Sequence, residues 1–267
     1  MQYNWDWKII FCTSETDYLW FFAKDDCGQA YFQWIVSGFG WTVAVASAAW
    51  VITFLLGSII GIARTLEPPQ TQHWTTVAIR VGRGLATAYV EVFRNIPLLV
   101  QMFLWFFVIP ELLPENTGRW IKRDLPLPEF WTAVVCLGMY HASRTAEQVR
   151  AGIESIPRGQ TSAGLAMGLT QLQVYRYVLL PVSYRIIIPP LTSDFMGIFK
   201  NSSVALTIGV LELTAQARQI TEYTFNGFEA FAAATVLYLL VTLTVVSVMR
   251  VVERRVHIPG TIALEDK

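Results

Sequence analysis

Charge is scarce in this sequence. Of 267 residues only 15% are Asp, Glu, Lys or Arg, against about a quarter in an ordinary soluble domain. The basic and acidic counts cancel at 20 each and no basic stripe runs along a helix, which argues against nucleic acid as a partner. Lysine is scarcer still. Lys8, Lys24, Lys122, Lys200 and Lys267 are the only five, none follows a glycine, and none precedes Ser or Thr. A phosphate-cradling nucleotide loop needs Gly-Lys-Ser/Thr, so the chain is expected neither to hydrolyse ATP nor to bind a cofactor of its own. The histidines His73, His141 and His257 lack ligand spacing, so no metal is expected. No catalytic dyad stands out; Glu91, Glu147 and His141 are the only candidates for a membrane-embedded enzyme, and no motif joins them. The first 26 residues hold Asp6, Lys8, Glu15, Asp17, Lys24, Asp25 and Asp26 without an apolar core segment, so no cleavable signal peptide is expected. Cysteine is limited to three. Cys136 falls in an apolar run, and Cys12 and Cys27 in the N-terminal segment form either a disulfide or two free thiols.

What is abundant is apolar residues, 54% of the chain. Between Cys27 and Ala63 there is no charged residue, and Ala230 to Met249 is a second uncharged run. A bilayer core needs roughly 20 apolar residues of helix, so an all-α integral membrane protein follows. Five spans are expected, at about 35–63, 85–109, 130–149, 186–210 and 230–252. The second contains Glu91 and Arg94. The uncharged part of the third, Phe130 to Ser143, is only 14 residues. The fourth carries Pro189, Pro190, Asp194 and Lys200 and reads as a broken span. These spans divide the chain into an N-terminal segment (1–33), a transmembrane domain (34–255) and a C-terminal tail (256–267).

Lys and Arg collect on the inner side of membranes. With the N-terminus outside, the inner segments hold eleven of them and the outer segments six. The bias predicts an N-terminus outside and a C-terminus inside, which agrees with an odd number of spans. Trp34, Trp120 and Trp131 fall near the outer boundary, as interfacial aromatics do. Trp5, Trp7, Trp20, Phe21 and Phe22 suggest an N-terminal segment lying on the membrane surface, or alternatively a small external fold.

The polar stretch from Gly152 to Pro181 is predicted to face inward. Ser155 can cap a helix that Pro157 begins, and Gly168 can end it. Thr170 with Gln173 three residues on makes a capping-box pattern for a second helix, which Pro181 is expected to stop. Between them lies Thr161-Ser162-Ala163-Gly164-Leu165-Ala166-Met167-Gly168. Small residues beside Leu165 and Met167 suit either a docking knob for another protein or an ordinary interfacial hairpin.

This stretch resembles the cytoplasmic motif of ABC-importer permeases. Ser162-Ala163-Gly164 stands where that family has Glu-Ala-Ala, Gly168 in place of its glycine, and Val178, Leu180 and Pro181 in place of its ending. Arg150-Ala151-Gly152-Ile153-Glu154-Ser155-Ile156-Pro157-Arg158-Gly159-Gln160 is similar to the polar amino-acid subfamily, as are Phe93-Arg94-Asn95-Ile96-Pro97-Leu98-Leu99-Val100-Gln101 and Lys200-Asn201-Ser202-Ser203. Within it, the Trp-rich start, Val108 to Glu115 and Val252 to Gly260 resemble permeases for glutamate and aspartate. The resemblance implies a five-helix type I permease fold in the bacterial inner membrane, periplasmic at its N-terminus and cytoplasmic at its C-terminus. It implies a second permease subunit, identical or different, a periplasmic binding protein, and a cytoplasmic ATPase dimer that carries the ATP and magnesium. Arg158, Gly159, Gln160, Ser162, Ala163, Gly164, Leu165 and Gly168 would then couple to the ATPase. A permease for another polar amino acid such as glutamine, or a channel or scaffold subunit, is the alternative.

Ionisable residues at bilayer depth cost about 2.5–3.5 kcal/mol each even on lenient scales, so they need partners or a function. Glu91 and Arg94, and Arg144 and Glu147, are each three apart and can meet on one helix face. His141 reads as a packed polar residue. Lys200 has no acid three or four residues away, and Asn201, Ser202 and Ser203 follow it. With Arg94, these four are expected to line a path for a substrate carrying carboxylates, or else to serve polar packing between helices.

Overall fold

A computed structural model describes residues 5–11, 31–67 and 73–256 of the chain, and every regular element among them is helical. A short α1 (Lys8–Phe11) precedes α2 (Tyr31–Thr65) and α3 (His73–Asn95). Next come α4 (Leu98–Leu112), α5 (Glu115–Arg119) and α6 (Pro128–Glu154). The polar loop contributes α7 (Arg158–Ala166) and α8 (Gln171–Val174). Then α9 (Leu180–Asn201), a 3-10 stretch (Ser202–Ile208), α10 (Leu213–Thr224) and α11 (Gly227–Val256) complete the chain. By length and apolarity alone α2 and α11 qualify as membrane-crossing helices, or three spans if α3 and α4 count as one broken span.

Two boundaries differ from the sequence reading. The second span does not run unbroken through residues 85–109. Its helix starts earlier, at His73, and ends at Asn95, because Ile96 precedes Pro97 and a residue before proline is pushed out of the helical region. Nor does Pro181 stop a helix. It lies in the first turn of α9, which runs on through Pro189 and Pro190, and the break comes only at the 3-10 stretch. Wide π-turns explain how two of the prolines, Pro110 and Pro181, are absorbed. Leu104–Val108 and Tyr175–Leu179 are such turns, closed by the N–H of Ile109 and of Leu180, each just before Pro110 or Pro181. The register has already shifted by one residue where the proline's missing donor would be felt.

The chain divides into two compact units. The first holds residues 1–50, 97–138 and 197–243. Its core packs Ile10 and Ile35 with Leu213, Ala217, Ile220, Ala230 and Ala234. Glu212 caps α10, accepting from the Thr214 and Ala215 N–H groups at 2.9 and 2.8 Å and from the Tyr238 hydroxyl at 2.8 Å. The Glu229 carboxylate, fully buried, accepts the Asp6 N–H at 2.7 Å.

The second unit holds residues 51–96, 139–196 and 244–267. Here α2 lies close against α6 because two glycines one turn apart remove the side chains between them. A Cβ on Gly57 would come within 2.7 Å of Thr145, and one on Gly61 within 2.7 Å of the Ala146 carbonyl. This small-xxx-small spacing is how membrane helices approach without a hydrophobic drive. Val149, Ile153 and Ile156 then pack with Val174, Tyr175, Leu179, Ile187 and Leu191. The polar loop is thereby built onto the ends of the long helices; outside the bilayer, each such buried side chain contributes about 1.5–3 kcal/mol.

Candidate functional site

Within the second unit a polar cleft of about 490 Å³ opens between three helices, a size suited to a small solute. α3 contributes Glu91, Arg94 and Asn95, α6 contributes Arg144, Glu147 and Gln148, and α9 contributes Asp194. Gln148 Nε2 donates to Asp194 Oδ2 at 2.6 Å. Arg144 sits over the Tyr140 ring, 5.3 Å from its centroid, and donates to the Tyr140 hydroxyl at 3.0 Å. Asn95 Nδ2 donates to the Glu91 carbonyl at 2.7 Å and lies 3.3 Å from its carboxylate.

Glu147 is held by residues other than Arg144. Arg64 Nη1 lies 2.5 Å from Glu147 Oε2, and Arg150 donates to Oε1, its Nε at 3.1 Å. Arg150 also pairs with Glu154. Arg144 instead presents its guanidinium to Tyr140 and to the cleft. Glu91 and Arg94 both line the cleft, where the Glu91 carboxylate lies beside Asn95 Nδ2. His141 is buried in α6 with its ring edge-on to Tyr140 at 5.2 Å.

Lys200 lies in the last turn of α9 and is exposed. The Ser202 hydroxyl donates to the Phe199 carbonyl at 2.7 Å and that of Ser203 to the Lys200 carbonyl at 2.8 Å. Both hydroxyl protons are therefore used within their own turn. Asn201 is half-buried beside them. These four residues belong to the first unit, and Arg94 to the second. Cys12 and Cys27 lie outside the described residues.

The polar loop folds largely as its residue pattern dictates. Pro157 is the N-cap of α7 and makes no side-chain cap bond; Ser155, expected to cap, instead donates to the Gly152 carbonyl at 2.8 Å. α7 ends at Ala166, and Gly168 turns the chain at φ +86°, with its N–H on the Leu165 carbonyl and the Leu169 N–H on that of Gly164. Thr170 and Gln173 form a full capping box, the Thr170 N–H reaching Gln173 Oε1 at 2.8 Å. Gly164 faces inward, where a Cβ would come within 3.0 Å of Val174. Its smallness thus serves the hairpin's own packing. Arg158, Gly159, Gln160, Ser162, Ala163, Leu165, Met167 and Gly168 remain exposed. Beside them lies a recess of about 880 Å³ reached by Arg83, Glu154, Thr161 and Tyr175.

Sequence reasoning did not single out Gln148, Asp194, Arg64 or Arg150 as site residues. An acid in an apolar helix, Asp194, was a usable signal. The rest depends on which helices lie side by side, which local spacing does not record.

Membrane-length helices with a charged cleft and an ordered polar loop suit a transport component. The chain belongs to the family described as binding-protein-dependent transport system inner membrane component, which matches residues 76–258. It is thus a protein of the inner membrane. Among curated relatives it is 45% identical to the glutamate/aspartate import permease protein GltJ of Escherichia coli (strain K12), over 97% of this chain and 98% of that one. It is 32% identical to the glutamine transport system permease protein GlnP of the same strain, over 76% of this chain and 84% of that one. Among solved structures, an amino acid ABC transporter crystallised with histidines aligns with a TM-score of 0.68 at 28% identity, covering 84% of this chain and 95% of that one. An inward-facing MetNI methionine transporter aligns with a TM-score of 0.69 at 20% identity, over 86% of this chain and 100% of that one, a likeness of fold.

Proposed function

We propose that this chain is a permease subunit of an ATP-driven importer for glutamate and aspartate. The observation that carries the substrate class is the 45% identity, nearly end to end, with a glutamate/aspartate permease, against 32% over a shorter stretch with a glutamine permease. The cleft agrees in chemistry. Arg94 and Arg144 offer guanidinium donors for carboxylates, and Asp194 and Glu147 offer oxygens for an α-ammonium group. Lys200 and Asn201, in the first unit, offer further cationic and amide donors for such a solute.

Five spans fit this role. Among the described residues, α2, α6, α9 and α11 each reach 22 residues or more, enough to cross a bilayer at 1.5 Å per residue, and α3 with α4 supplies the fifth as one broken span. The loop charges favour a periplasmic N-terminus and a cytoplasmic C-terminus. A second permease subunit completes the pathway, a periplasmic receptor delivers the solute, and a separate ATPase dimer, with its ATP and magnesium, docks on residues 152–181. Closure of the ATPases moves that loop, and the spans rock to open the cleft to alternate sides.

Uptake of labelled amino acids in a strain lacking the gene tests the reading. Restoring the gene is expected to restore glutamate and aspartate uptake and leave glutamine at background. Recovery of glutamine uptake alone overturns it.

A further inference from the structure

We propose that Arg64 and Arg150 are positioning residues that tie the transport cleft to the docking loop through one shared carboxylate, Glu147. The inference rests on the docking role proposed for residues 152–181.

Glu147 faces two ways. It lines the cleft, and each of its oxygens is also held by an arginine, Oε2 by Arg64 at 2.5 Å and Oε1 by Arg150. Each arginine leads to a different arm of the loop. Arg150 also grips Glu154, the last residue of α6, four residues before α7 begins at Arg158. Arg64 sits in the last turn of α2. The backbone carbonyl of the next residue, Thr65, accepts from the Tyr175 hydroxyl at 2.7 Å, and that of Glu67 accepts from Gln171 Nε2 at 3.2 Å. Tyr175 and Gln171 belong to the second helix of the loop and its π-turn. One carboxylate therefore joins the α6–α7 arm and the α8 arm.

The pairs are charge-assisted hydrogen bonds, and the Arg64 side chain is only 11% exposed, so water screens its pair little. An ammonium group entering the cleft beside Glu147 competes for the charge that Arg64 and Arg150 hold. Weakening those bonds loosens both arms together. By reciprocity, loop movement driven from the cytoplasm alters how Glu147 presents itself to the solute.

The test uses the assembled complex, permease subunits with ATPase in proteoliposomes with the receptor, and reads two ratios. One is ATPase activity with and without loaded receptor; the other is amino acid transported per ATP hydrolysed. Arg64→Met is expected to assemble and hydrolyse ATP but to lose stimulation by loaded receptor. Transport per ATP is expected to fall on the order of fivefold or more, within the range of ordinary coupling energies. Arg64→Lys, which keeps the charge, is expected to recover much of both. Glu154→Gln, which frees one end of Arg150, carries the same test where Arg64→Met does not assemble. Unchanged ratios, or equal loss of transport and hydrolysis in an assembled complex, overturn the proposal. The ratios are read with whichever amino acid the receptor delivers, so a wrong substrate assignment leaves this result intact. An ATPase that never binds the loop overturns the docking reading beneath it.

Discussion

Gly61 of α2 lies directly against Ala146 of α6: a Cβ at position 61 would come within 2.7 Å of the Ala146 carbonyl oxygen and of the Val149 Cβ. The first of these is backbone, which cannot rotate aside. Gly61→Val is therefore expected to push the two helices apart, at about 1–3 kcal/mol, the usual range for overpacking. The measurement is thermal stability in detergent. Gly84, where an added Cβ meets nothing within 4 Å, is the control, and Gly84→Ala is expected to leave the melting temperature unchanged or slightly raised.

Arg144 packs over Tyr140 and lines the cleft that Asp194 also lines. Arg144→Met and Arg94→Met are each expected to raise the KM for glutamate transport about tenfold or more, the loss of a hydrogen bond to a charged group. Transport kinetics in membrane vesicles read this directly. An unchanged KM in a normally assembled complex removes that arginine from the substrate's surroundings.

Gly168 adopts φ +86° with open space where a Cβ would go. The expected cost of Gly168→Ala is thus backbone strain alone, roughly 1–2 kcal/mol for a left-handed alanine. It falls on the loop rather than on the spans. Co-purification of the ATPase should weaken while the melting temperature of the permease changes little. A bulky side chain at Gly168 adds steric obstruction of the partner and should abolish co-purification.

Lys200 is exposed while the hydroxyls of Ser202 and Ser203 close their own helical turns. Lys200→Met is expected to lower uptake, and Ser203→Ala to change it less. Normal uptake by a normally assembled Lys200→Met complex rules out a place for this cation on the path.

The two most apolar helices were legible because hydropathy reports composition. The break at Ile96-Pro97 was not, since the run from Leu98 to Ile109 stays apolar and hydropathy carries no direction; Pro97 was the available sign. Pro181, Pro189 and Pro190 misled in the opposite sense. A proline ends a helix only where the register is fixed, and the π-turn before Pro181 shifts it. The capping box of Thr170 and Gln173 and the left-handed Gly168 were readable because each is a contract between residues close in sequence. Glu147 marks the limit. Spacing put Arg144 within reach on the same helix, but Arg64, 83 residues away, takes the carboxylate. Only the apposition of α2 and α6, allowed by Gly57 and Gly61, brings it there.

The capping box and the Gly168 turn have a consequence for association. The loop's shape is fixed by its own hydrogen bonds before any partner arrives. Freezing a flexible residue costs about 1–2 kcal/mol of backbone entropy, and a loop that is already ordered spares the complex that cost. A rigid lever also transmits displacement that a segment folding on contact would absorb. The loop is expected to move as one body, so that nucleotide-driven motion arrives at Arg64 and Arg150 as a mechanical stroke.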